Sequence, residues 1–227
     1  MKLIEDAVKK GQKNLSEYEA KKLLAAYNIP VTREELVRSK GVALQVARVI
    51  GYPVVLKFCS YKVIHKTEMG LIETNLRNDE DLIRAFDNMQ VKLDRKFDDR
   101  EYLVQEMVKG SRELVAGMIR DVEFGPCIMF GLGGIFTEIL KDVTFRVAPI
   151  NKADVLEMTK ELRARNILGS VRGMEAVDLD VLTSCLEGLG RLGLEQYAVK
   201  DVDINPLIIR GNQLVAVDAL VTLHERT

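Results

Sequence analysis

Residues 102–110 read Tyr-Leu-Val-Gln-Glu-Met-Val-Lys-Gly. Apolar and β-branched residues dominate Tyr102 to Val108, which predicts a buried strand. Gly110 ends it, and the texture of the chain changes there. Upstream, helical and strand patterns mix. Downstream come several strands around a glycine-rich stretch, two helices and a closing pair of strands. The break divides the chain into one lobe over 1–108 and another over 109–227, with residues 1–20 open to packing on the other lobe. Mixed helices and strands in two lobes define an α/β (α+β) fold with a ligand cleft between the lobes.

Moving outward, the local signals are consistent with that reading. Ser16 and Glu19 have the spacing of a capping box, and Tyr18, Leu23, Leu24 and Tyr27 recur at helical intervals. Asn28 suits a left-handed cap, and Pro30 forbids continuation. A second helix is predicted from Val42 to Ile50, stopping at Gly51. Pro53 to Phe58 reads as a buried strand, 59–70 as a loop and Leu71 to Leu76 as a strand. Asn78 opens a helix to about Phe97. Beyond the break, Glu113–Ile119, Pro126–Phe130, Ile135–Leu140 and Thr144–Ala148 read as strands. Asn151 caps a helix to about Arg165, and Asp178 or Asp180 caps another to about Leu194. Val199 to Pro206 and Gln213 to Leu220 form a hairpin around Gly211-Asn212.

Composition narrows the function. In 227 residues, 33 Lys and Arg offset 34 Asp and Glu, with no basic run and no Trp, so a nucleic-acid partner is not expected. Three scattered cysteines and two histidines leave almost nothing for a zinc site. Such thiols suit a reducing, cytoplasmic setting. The N-terminus, MKLIEDAVKKGQKN, is too charged for a signal peptide, and no apolar run is long enough to span a membrane.

Five features carry possible chemistry, each with a plainer alternative. Lys57 lies inside an apolar strand, where it either ligates a phosphate or simply points to solvent. Gln105-Glu106-Met107-Val108 offers either a backbone edge for a base or an ordinary strand end. Gly131-Leu-Gly-Gly134 permits a concave array of N–H groups for an anion, although such turns are common; it is neither a Walker A loop nor G-x-G-x-x-G. Asp203, Asn205 and Asp218 supply oxygen ligands for Mg²⁺, or are turn residues. His65, in Ile-His-Lys-Thr-Glu, is a neutral nucleophile for phosphorus or a surface histidine.

The pieces VVLK, IHKTEMG, QEMV, FGLGGIFTEILKDVTFR, DINP and VDA occur in that order after LSEYEAKKLLAAYNIPV. Together they resemble the β subunit of ADP-forming acetyl-CoA synthetases, ATP-grasp proteins, from about Leu15 to Ala219. The FGLGGIF block and the IHK segment are the specific parts. The resemblance implies an acid-thiol ligase that interconverts acyl-CoA, ADP and phosphate with acid, CoA and ATP, and is active only with a CoA-binding α subunit in an α₂β₂ assembly. It implies that His65 receives a phosphoryl group near the nucleotide and that Lys57 holds nucleotide phosphates. Glu106 and Val108 would hold adenine and Glu113 the ribose. Gly133, Gly134 and Arg146 would receive the partner's phosphorylated element. Asn205 and Asp218, with Asp203 as a further candidate, would bind Mg²⁺. Two positions depart from the family: Tyr61 replaces a proline and Leu71 a second glycine, which bears on movement of the His65 loop. Glu68 is a candidate to orient the imidazole.

Two other readings remain at this level. A stand-alone ATP-grasp carboxylate ligase would need a substrate lobe before the core, and only about 15 residues precede the first helix. A non-catalytic nucleotide sensor would keep Lys57 and the hinge but have no use for His65.

Overall fold

The structure is a computed structural model that describes residues 1–63, 66–93, 100–134 and 141–224. The elements in chain order are α1 (Lys2–Lys9), α2 (Glu17–Ala26), β1 (Glu34–Val37), α3 (Lys40–Ile50), β2 (Val54–Cys59), β3 (Ile72–Leu76), α4 (Asp79–Leu93) and β4 (Glu101–Glu106). There follow β5 (Glu113–Asp121), β6 (Gly125–Leu132), β7 (Val143–Val147), α5 (Lys152–Glu161), a 3₁₀ turn (Arg165–Leu168), α6 (Leu179–Glu195), β8 (Val199–Arg210), β9 (Gln213–Ala216) and β10 (Ala219–Leu223). The chain groups into two compact units. One contains Ser16–Tyr18 and Thr32–Met107; the other contains Met1–Leu15, Glu19–Val31 and Val108–Thr227.

The smaller unit is a four-stranded antiparallel sheet in the order β1-β4-β2-β3. Ser39 caps α3 by accepting from the Val42 N–H, and Gly51, at φ 93°, ends it. Helix α4 presents Leu82, Ala85, Phe86, Met89 and Leu93, a stripe at helical spacing, to the core. Val54, Leu56 and Phe58 of β2 join that core, and the Phe86 ring lies 4.4 Å from the Tyr102 ring. The alternate β2 residues, Val55, Lys57 and Cys59, point the other way and are buried too.

The larger unit is a six-stranded antiparallel sheet in the order β10-β8-β5-β6-β7, with β9 also on β8. Strand β8 is its axis: β5 lies along one side, and β9 and β10 share the other. One face is covered by helices. Leu114, Ala116, Met118, Ile128, Val202 and Ile204 from the sheet pack with Leu182, Leu186 and Leu189 of α6. Gly188 lets α6 approach the end of α2, since a Cβ there would stand 2.3 Å from the Tyr27 carbonyl. Asn28 takes the left-handed conformation at φ 63° that its position after α2 predicts.

Several expectations change in detail. The stretch 213–220 is two strands, interrupted at Val217-Asp218. Helix α5 stops at Glu161 rather than near Arg165, because Leu162 is extended and the Asp142 carboxylate accepts the N–H groups of Arg163 and Ala164. Helix α4 is described to Leu93, and the strand expected at Ile135–Leu140 lies outside the described residues. Among the described residues no helix is long and apolar enough to cross a membrane.

The smaller core rests on few aromatic contacts, so truncating one is costly. Phe86→Ala should lower unfolding stability by about 3–5 kcal/mol in urea titrations, through lost burial and a residual cavity.

Candidate functional site

Lys57 is inside, with 5% of its side chain exposed, where an ammonium requires a counter-charge. Glu17, in the first turn of α2, supplies it: the Lys57 Nζ donates to Glu17 Oε1 at 2.6 Å. The second oxygen, Oε2, accepts from Lys66 Nζ. Glu17 is itself 2% exposed and Lys66 9% exposed. The neighbours of Glu17 fix its position. Tyr18 donates its hydroxyl to Glu35 on β1, and the Cys59 thiol bonds with the Tyr18 backbone and the Ser16 side chain. Burial pushes the Cys59 thiol up to about 11, so it stays protonated near neutrality.

His65 and Ile64 lie outside the described residues. Their flanks are tied down. Val63 is buried, the Leu71 N–H donates to the Lys66 carbonyl, and the Phe58 N–H to the Leu71 carbonyl. Leu71, where the resemblance expects glycine, is a core residue at 1% exposure. Lys92 donates to the Gly70 carbonyl at 2.8 Å and pairs with Glu73. Tyr61 is at the surface under the Lys62 ammonium, and Glu68 is exposed.

At the end of β4 the Glu106 side chain is committed to the scaffold. Its carboxylate accepts from the Arg33 N–H and Nε, and its own N–H donates to the Arg33 carbonyl. Val108 packs in the other unit against Ile208 and Val215. Four carbonyls, those of Ile167, Gly169, Glu175 and Gly211, receive the Arg112 guanidinium and fix the start of β5.

Glu113, Gly133 and Gly134 are brought together. The Gly133 N–H donates to the Glu113 carbonyl, and a Cβ at Gly133 would lie 2.5 Å from the Leu114 carbonyl oxygen. Gly134 is left-handed at φ 66°, and the Glu113 carboxylate lies 2.6 Å from where its Cβ would be. Arg146 stands apart from them. It is paired in register with Ile128, on the helix-covered face, where it binds Glu161 through both terminal nitrogens and reaches Glu157. The guanidinium holds the Glu161 carboxyl below its usual range.

Asp203 lies opposite Gly117 and Leu220, on the face away from the helices. Asn205 sits where both neighbouring ladders break: β10 ends its pairing at Ile204, and β9 begins at Leu207. Asp218 occupies the matching interruption between β9 and β10 and accepts the Ala219 N–H. Asp203 reaches solvent, yet crowding by protein and then the Asp218 charge raise its carboxyl above the ordinary range. Two carboxylates repelling one another beside an amide make a donor set that suits a hard divalent cation. Among the described residues no group of three or more His, Cys, Asp and Glu forms a metal cluster, so Mg²⁺ here would draw further ligands from phosphate and water.

The residues missed by sequence reading are Glu17, Lys66 and Arg33. An acid in the first turn of a helix normally reads as support for the helix dipole, which hid the role of Glu17. The buried Lys57 was the signal that some carboxylate must meet it.

A buried lysine in one unit, and a glycine turn and acidic strand break in the other, are features of an ATP-grasp protein. Residues 6–223 match the family model described as an ATP-grasp domain. The chain is 42% identical over 224 residues to the β subunit of acetate–CoA ligase [ADP-forming] I of Pyrococcus furiosus, covering 97% of this chain and 96% of that one. Acetyl-coenzyme A synthetase 1 of Ca. Korarchaeum cryptofilum, solved with coenzyme A and Ca-AMPCP, superposes with a TM-score of 0.92 at 39% identity, over 98% of this chain and 99% of that chain. Another structure of that enzyme holds coenzyme A and Mg-AMPPCP, with a phosphohistidine segment pointing towards the nucleotide binding site; its TM-score is 0.87 at 38% identity, over 98% and 99% of the two chains. The chain belongs to the family of ADP-forming acetate–CoA ligase β subunits.

The Gly133 turn admits no side chain. Gly133→Ala should cost about 1–3 kcal/mol by overpacking against the Leu114 backbone, seen as a fall in Tm, whereas Gly41→Ala, which meets open space, should not.

Proposed function

We propose that this chain is the nucleotide-binding β subunit of an ADP-forming acyl-CoA synthetase: acyl-CoA, ADP and phosphate give acid, CoA and ATP, reversibly. The near-full-length match to a β subunit of that enzyme is the observation that carries this reading. Nucleotide analogues in solved relatives support the nucleotide role.

In this reading His65 accepts the phosphoryl group from an α subunit and passes it to ADP. The nitrogen–phosphorus bond breaks, a bond forms from a β-phosphate oxygen of ADP, and the imidazole returns neutral for the next cycle. Lys57 neutralises nucleotide phosphates, and the strand end from Glu106 to Val108 holds the base. The Glu106 carboxylate acts there by fixing Arg33, not by touching the ligand. Glu113, beside Gly134, serves the ribose or the approach to the glycine turn, and the Gly133 and Gly134 backbone receives the phosphorylated element. Asp203, Asn205 and Asp218 would hold Mg²⁺, which when bound neutralises phosphate charge. Arg146, tied to Glu161, is left to the scaffold. Such chemistry asks for positioning and charge stabilisation rather than a separate acid or base.

The CoA and acyl sites fall to the α partner, with α₂β₂ as the expected assembly. The three unpaired cysteines agree with a cytoplasmic setting.

The test is reconstitution. The isolated chain should show no turnover, and adding the α subunit should give ATP synthesis from acetyl-CoA, ADP and phosphate. His65→Ala should abolish synthesis and acid-labile phosphate on this chain; full ATP synthesis by that variant rejects the relay. Asp218→Ala should reduce activity about 100-fold, the scale of losing a charge-stabilising group, and raise the Mg²⁺ concentration needed for half-maximal rate.

A further inference from the structure

The Glu17 carboxylate has no place in the chemistry above, yet it is almost completely buried, and each of its oxygens takes a different lysine. Lys57 comes from the middle of β2 and Lys66 from the segment after Cys59, directly following His65 in the chain. A lysine side chain has four flexible bonds, and its ammonium prefers water. Two such groups converge inside a protein only if an anion holds both, because without it they repel and seek solvent. The anion is rigidly placed. Ser16 and Tyr18 meet the Cys59 thiol, and the Tyr18 hydroxyl meets Glu35 on β1, so the residues on either side of Glu17 grip the same sheet.

We propose that Glu17 is a positioning residue for phosphoryl transfer: it clamps Lys57 and Lys66 on a common carboxylate, so that the nucleotide-phosphate lysine and the segment leading out of His65 are presented as one unit. This rests on the reading of Lys57 as a nucleotide-phosphate ligand. Glu17 touches no reacting atom. It acts by denying the two ammonium groups their other rotamers and by keeping both charged at a fixed spacing. Losing it should therefore weaken the hold on nucleotide more than the chemical step.

The experiment uses the reconstituted enzyme with its α subunit and compares Glu17→Gln, Glu17→Asp, Lys57→Ala and the Glu17→Gln/Lys57→Ala double variant. Each is assayed for KM and kcat with ADP and for Tm. Glu17→Gln keeps the shape but removes the charge, and should raise KM for ADP at least about tenfold with a smaller change in kcat. Glu17→Asp, which keeps the charge on a shorter arm, should recover part of that loss. In the Lys57→Ala background the same Gln substitution should add no more than about twofold, because residues that act through one another are not additive. A fall in Tm with KM for ADP unchanged would show a structural acid only and overturn the proposal. Independent, multiplying effects of the two substitutions would overturn it as well. If Glu17→Gln does not fold, Glu17→Asp takes its place in the same cycle. Normal KM for ADP in Lys57→Ala would sink the reading of Lys57 itself, and the clamp with it; an impaired Lys57→Ala beside an unimpaired Glu17→Gln would sink the clamp alone.

Discussion

A charge taken out of water must find its counter-charge, and in the smaller unit that requirement organises everything near Lys57. Strand β2 is buried on both faces. Its helix-covered face is filled by Val54, Leu56 and Phe58. Its other face carries a lysine, and the chain answers with Glu17, brought from forty residues earlier. Such an ion pair contributes little net stability compared with an apolar pair of equal shape, but half of it alone is costly. Under the proposed clamp its value would lie in precision, presenting a cation on strand β2.

In the larger unit the organising element is β8. A strand of twelve residues serves β5 on one side and two successive partners on the other. Neither β9 nor β10 pairs with Asn205 and Pro206, and β5 shifts register between Leu114 and Ala116, next to them. The ladder is broken there by construction, and the break is where Asn205 and Asp218 stand. Irregular pairing re-aims side chains out of the pleat, a recurrent device beside functional sites. Gly117, facing Asp203, keeps that surface low, since a Cβ would strike the Val202 carbonyl at 2.5 Å.

What was legible in the sequence is what depends on near neighbours. Asn28, Gly51, Asn151 and Asp178 announce the ends of elements because left-handed backbone and capping are local demands, and the structure has each of them in that role. The ATP-grasp class was legible too, since its motifs occur in a fixed order. The gap at Val217-Asp218 was hidden because a lone Asp between Val and Ala is too weak a mark to break a strand pattern; it arises from how β8 is shared. Glu17 was hidden for a related reason, as its partners lie 40 and 49 positions away. Arg112, which ties four carbonyls across a hundred residues, carried no local sign at all. Packing of Leu3 and Ile4 with the C-terminal half was left open by the sequence, and that Glu19–Val31 joins them there is a long-range outcome.

The burial of Leu71 would set a length limit on the proposed relay. A glycine there would let the chain pay out further, but this side chain is anchored among Leu56, Phe86 and their neighbours. His65 precedes Leu71 by six residues, and six residues fully stretched span at most about 20 Å. The Lys66 tether shortens that leash again. In the proposed relay, so short a line would leave any longer journey of the phosphoryl group to the α partner, with this chain as the terminus at which the cargo arrives.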